Sequence, residues 1–174
     1  MTMAIRDALL PEFDHEMKTT RSLLAIVPQA QAGWKPHAKS MALGELAMHI
    51  ATVPFWGTIG LTRADFDTAP PGGPKMEVPP FTTTEALVGA FDASVADCRA
   101  ALAATDDAAF GAMWSLKRGG QVLMTMPRTV IMRSFVMNHL IHHRGQLSVY
   151  LRLLDVKLPP IYGPTADDQA GFGG

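Results

Sequence analysis

MNHLIHHRGQLSVY, residues 137–150, holds three of the chain's six histidines, and no aspartate, glutamate or proline interrupts it. At helical spacing His139 and His143 lie roughly 40° apart, with Gln146 and Tyr150 close to the same line. Extended backwards the stripe takes in Met132, Phe135 and Val136, and forwards Leu153 and Leu154. Arg133, Ser134, Arg144, Ser148, Arg152 and Asp155 fall on the other side. The pattern predicts a helix from Pro127 to about Asp155 with its histidines facing the interior. Met137 and Ile141 stand on the otherwise polar side, to meet a partner subunit or another part of the same chain. Two imidazoles one turn apart can each turn a ring nitrogen toward one divalent cation. A third ligand has to come from elsewhere.

It is offered by a second helical pattern, Met41–Leu61, in which Leu43, Leu46, Ala47, Ile50, Val53 and Trp56 recur. Ser40 is its predicted N-cap. His49 shares a stripe with Ala42, Glu45, Leu46, Val53 and Trp56 and so is expected to look inward. Pro54 should bend the helix one turn past His49, and Gly57 and Gly60 should let it open beside the site. Glu45, one turn before His49, is a candidate to orient that ring or to act as a base, and Gln146 to hydrogen-bond bound water or substrate. His142, about 60° off the His139 line, fits a packing or supporting role rather than direct ligation. His15 and His37 are read as exposed.

Two further helices complete the set. Ala4–Val27 carries Leu9, Leu10, Phe13, Met17, Leu24 and Val27 on one face, with Pro11 expected to kink it or delay its start. Thr82 and Glu85 form a capping box ahead of Leu87, Phe91, Val95, Cys98 and Leu102. Between these helices Gln29–Lys39 reads as a loop in which Trp34 covers an end of the bundle. Residues 62–81, rich in proline and glycine, read as a long surface loop that is either a mobile cover or a functional lid. Trp114–Lys117 and Gln121–Met126 around Arg118-Gly119-Gly120 predict a β-hairpin. Four amphipathic helices predict an all-α four-helix bundle with a short hairpin between the third and fourth.

The chain's 174 residues suit a single domain spanning 1–174, with 165–174 as a flexible C-terminal tail. A formal net charge of -1 without basic runs argues against nucleic acid as a partner. No apolar run is long enough for a membrane span and no signal-peptide core is visible, so a cytoplasmic location is expected. One cysteine, Cys98, excludes an internal disulfide and any Cys-rich zinc motif. No Gly-x-Ser-x-Gly and no glycine-rich phosphate loop occurs. Three histidine ligands would leave a position open for water or a small-molecule substrate, and imidazole does not choose among zinc, nickel, copper and iron. Hydrolysis and thiolate transfer both remain open, as do a non-catalytic metal-binding or stress-related protein and a plain helical dimer with core histidines.

The segments WKPHAKSMALGELAMHI (34–50), NHLIHHRGQLSVYLR (138–152) and IYGPTAD (161–167) resemble the DinB-like (DinB/YfiT) family of metalloenzymes over nearly the full length. The resemblance implies an up-down-down-up four-helix bundle and a metal on three histidines, which map onto His49, His139 and His143. It also implies a homodimer, zinc or nickel as the metal, and activities that include hydrolases and transferases using a low-molecular-weight thiol.

Overall fold

A computed structural model describes residues 3–168. Helix α1 (Ile5–Leu24) buries Phe13, Met17, Leu23 and Leu24. It starts upstream of Pro11, which stands exposed within it. The early start has a cause: the Ile5 amide donates to Asp107 Oδ1 at 2.8 Å, so a distant carboxylate satisfies the first turn.

Helix α2 (Leu43–Thr62) begins two residues later than a Ser40 cap predicts. Its N-cap is Ala42, and the Glu45 carboxylate accepts the Ala42 amide at 2.7 Å, so the side chain three positions in replaces the missing hydroxyl. The helix runs through Pro54 to Thr62 without opening. Gly57 and Gly60 are close-approach positions. A Cβ on Gly57 would lie 2.4 Å from Cys98 Sγ, and one on Gly60 would lie 2.7 Å from Ile131 Cγ2. Their lack of a side chain lets neighbouring helices close on α2.

Helix α3 (Thr84–Ala104) buries Leu87, Phe91, Cys98 and Leu102, the predicted face. The capping residue is Thr83, one place on from the expected Thr82, and its Oγ1 accepts the Ala86 amide at 3.0 Å. Thr84 Oγ1 donates to the Val27 carbonyl just beyond the end of α1. A short α4 (Asp107–Gly111) then leads into β2 (Met113–Arg118) and β3 (Gln121–Pro127), an antiparallel hairpin as predicted. Gly119 and Gly120 turn it at φ 62° and 80°, values that favour glycine.

The hairpin is two strands of three. Asp65–Asp67 forms β1, which pairs parallel with β2, so residues 62–81 are not wholly irregular. Asp67 accounts for the attachment, because its carboxylate accepts the amides of Ala69, Gly119 and Gly120 at 2.9, 3.0 and 2.7 Å. A three-residue strand is too short for hydrophobic periodicity to reveal.

The last long helix is composite. Arg128–Val130 (α5) and His139–Leu153 (α6) are α-helical, and Ile131–Asn138 between them is π-helical. Bonding from i to i+5 adds about one residue per turn, so a uniform stripe drawn through this stretch loses register. Met137 and Arg144, both expected on the polar side, are each 1% exposed. In α6 the buried line is Leu140, Arg144, Leu147 and Leu151. His139, His143, Gln146 and Tyr150 run beside it, roughly 100° around the helix. The histidines therefore flank the core rather than enter it.

Helix α2 packs against α3 and the composite helix, and α1 packs against the same two, which places α1 and α2 on a diagonal. A four-helix bundle with a three-stranded sheet results. On the α1 side the buried Arg144 is paired with Glu16 at 2.6 Å, and Tyr162 Oη lies 2.6 Å from Arg144 Nη2 and 2.9 Å from the Glu16 carboxylate. Beyond α6 the chain is tied down further. Arg152 pairs with Asp167 at 2.6 Å, Asp167 accepts the Leu158 amide, and the Thr165 amide donates to Asp168. The first part of the expected flexible tail, 165–168, is thus held, and its remainder lies outside the described residues. No helix among the described residues is long and apolar enough to cross a membrane.

Candidate metal centre

Leu46, Ala47, Ile50 and Val53 fix α2 in the core, and this leaves His49 half-buried on the flank that faces α6. Leu140, Leu147 and Leu151 fix α6 in the same way, and His139 and His143 are presented toward α2. The three rings meet. His49 Nε2 and His139 Nε2 are 3.2 Å apart, and the ring centroids lie 5.0 Å (His49–His139), 4.5 Å (His49–His143) and 4.6 Å (His139–His143) from one another. One donor nitrogen from each ring lies within 4.8 Å of the other two.

The donor set fits a divalent ion. At metal–nitrogen distances of about 2.0–2.1 Å, two imidazoles on a tetrahedral ion stand ~3.4 Å apart, close to the observed His49–His139 approach. Metal ligation needs neutral imidazole, and the setting favours it. Burial, with His143 and His139 alongside, pushes His49 from 6.5 down to about 4. Burial also lowers His139, where neighbouring His143 and His142 add to the effect and the Phe135 carbonyl offsets part of it. His143 is lowered by burial as well, and its bond to Gln146 opposes the shift.

Gln146 has a defined job. Its Oε1 lies 2.7 Å from His143 Nδ1, so that nitrogen donates and Nε2 keeps its lone pair for the shared centre. The Gln146 amide nitrogen is 3.2 Å from His142 Nε2, and the exposed His142 ring lies 4.9 Å from that of His143. Gln146 thus links the rings of His142 and His143. Glu45 lines a cleft beside His49, and its carboxylate also caps α2 and lies 3.9 Å from Lys35 Nζ. His15 and His37 are exposed and stand apart from the trio.

The trio is open on two sides. A cleft of about 370 Å³ beside His49 is lined by Met41 and Met48 and roofed by Val78–Phe81. A second, of about 410 Å³, lies beside His139 and His142 and is lined by Phe135 and Asn138. The Tyr150 ring stands edge-on to Trp34 at 5.6 Å, and its hydroxyl lies 3.4 Å from the carbonyl of Met41, a residue of the first cleft. The sequence reading missed Met48, Phe81 and Asn138 as lining residues. Met48 and Asn138 each directly precede a ligand candidate in the chain, which was the available signal.

The profile of the DinB superfamily matches residues 12–147, a span that includes all three histidines. A DinB-like protein of Bacillus cereus ATCC 10987 superposes with a TM-score of 0.69 at 22% identity, over 93% of this chain and 100% of that one. One from Bacillus subtilis gives 0.68 at 18% identity, over 90% and 97%. A DinB family protein of Exiguobacterium sibiricum gives 0.62 at 19%, over 91% and 98%. At these identities the structures report shared fold. The uncharacterized protein YrdA of B. subtilis is 44% identical over 39 residues, and the matched stretch spans 22% of this chain and 23% of that protein. With its bundle, its hairpin and a profile match over well more than half its length, the chain belongs to the DinB superfamily.

Proposed function

We propose that the protein is a metal-dependent enzyme in which His49, His139 and His143 hold one divalent ion, zinc or nickel, with a position left open to a small-molecule substrate. The observation that carries this reading is the convergence of three half-buried imidazoles, one of them lining the cleft on the α2 side and another the cleft on the α6 side. A structural metal site is usually closed by four protein ligands, whereas three ligands beside a cleft suit catalysis. An ion held there supplies Lewis acidity toward a carbonyl, or holds a thiolate, which favours hydrolysis or transfer to a low-molecular-weight thiol. The chain's own groups do the rest: Gln146 fixes the His143 tautomer, and Met41, Met48 and Phe81 give the cleft apolar walls.

The test has two stages. Protein purified without an affinity tag is expected to carry about one equivalent of metal, and His49→Ala/His139→Ala to carry none. Equal metal in both proteins overturns the site. Ester and amide substrates, and electrophiles offered with small thiols, are then screened with and without chelator. Turnover that survives complete metal removal overturns the metal mechanism.

A further inference from the structure

A separate cavity of about 320 Å³ lies between α2 and α3, beneath the segment Met76–Pro79. Its size is at the lower end of small-ligand pockets. Phe55, Met76 and Val78 give it apolar walls, and Val78 and Pro79 also line the cleft beside His49. One stretch of chain thus covers both spaces.

Two hydroxyls distinguish this cavity. Thr58 and Ser94 line it, and their hydroxyl oxygens are shut off from solvent with no hydrogen-bond partner among the described residues. Other helical hydroxyls of this protein bond back to their own helix: Thr52 to the Met48 carbonyl, Thr62 to that of Thr58, and Thr105 to that of Ala101. Thr58 and Ser94, from facing helices, do not. Buried polar groups are nearly always satisfied, so an unpaired pair on one cavity calls for a guest that bonds to them.

The cavity's charge narrows the guest. Asp97 and Glu77 line it and are exposed, no basic side chain lines it, and neither carboxylate is in an ion pair among the described residues. We propose that this cavity binds a small organic amine. Its apolar body lies against Phe55, Met76 and Val78, its ammonium group meets Asp97 and Glu77, and a polar group bonds to Thr58 and Ser94 once their hydroxyls rotate into the cavity. An anion would meet only carboxylates at the entrance. The proposal does not depend on the metal centre.

Phenethylamine, phenylethanol and phenylacetate, matched in shape and different in charge, are titrated into isotope-labelled, chelator-treated full-length protein, and backbone amide shifts are recorded. The amine is expected to give saturable shifts at 52–58, 76–79 and 94–98, the alcohol weaker ones, and phenylacetate none. Asp97→Asn changes an exposed residue and should fold. It is expected to weaken the amine at least fivefold, and Ser94→Ala is expected to do likewise, while His49→Ala/His139→Ala leaves binding unchanged. Four results overturn the proposal: no saturable shifts with the amine, equal response to phenylacetate, full affinity in Asp97→Asn, or loss of binding in the histidine double variant. The last would move the amine to the metal centre.

Discussion

Gln146 Oε1 stands 2.7 Å from His143 Nδ1, one helical turn from the ring it holds. That bond selects which nitrogen of His143 faces His49 and His139. Gln146→Ala frees the ring to flip and to change tautomer without removing a ligand. Metal affinity is expected to fall ~10–100-fold, the range for losing a partner that orients a ligand. Competition with a chromophoric chelator measures it, and an unchanged affinity would show that the bond has no part in holding the ring.

The metal-free fold should weaken on mild acidification, because His49 is held neutral. Its pKa is lowered from 6.5 to about 4, so between those values the unfolded chain binds a proton that the folded chain refuses. Its contribution is fully present above 6.5 and is lost as pH falls through that window toward 4. His139 and His143, also lowered, act with the same sign. Urea midpoints of chelator-treated protein are expected to drop between about pH 7 and about pH 5, with a shallower slope in His49→Leu. Parallel slopes would mean that His49 does not titrate in this way.

Arg144 and Glu16 form an ion pair at 2.6 Å with side chains 1% and 7% exposed. Removing one partner strands a buried charge, so Glu16→Leu is expected to destabilise by about 3–5 kcal/mol. Glu16→Leu/Arg144→Met should recover much of that loss, since two apolar side chains leave no charge unpaired. Chemical denaturation gives both values, and a double variant no better than the single would count against this account.

Two glycines should respond in opposite directions. Gly57→Ala drives a methyl into Cys98 Sγ, 2.4 Å from the ideal Cβ position, and is expected to destabilise by about 1–3 kcal/mol. At Gly145, inside α6, an added Cβ meets nothing within 4 Å. There Gly→Ala is expected to stabilise by about 0.5–1 kcal/mol. Thermal melts of the two variants test the pair, and a stable Gly57→Ala would show that α2 and α3 can part at little expense.

The bundle was legible because its helices carry long apolar repeats. Phe13 and Met17, Leu43 and Ile50, and Leu87, Phe91 and Leu102 are all buried as their spacing predicts. The three histidines were legible too, since helical spacing pairs His139 with His143 and puts His49 on an inward flank of another helix. Arg144 was misread because hydrophobic pattern treats every arginine as solvated, and its partner Glu16 lies 128 positions away. Met137 was misread because a constant 3.6-residue period was carried through a π-helical stretch. Glu45 lines the cleft beside His49 as its position one turn earlier suggests, and its bond to the Ala42 amide was legible from its place in the first turn of α2. The strand β1 depends on a single aspartate gripping a turn over 50 residues downstream, and no local window contains both ends of that grip.

The wide-turned stretch Ile131–Asn138 sets the phase of everything that follows it. Winding those same residues at the tighter α pitch would swing both downstream imidazoles by about 100° or more around the axis, away from His49. Helix length and composition would hardly change. A relative that keeps all three histidines and the same residue count here, but winds the stretch as an ordinary α-helix, would own the ligands and lack the clasp.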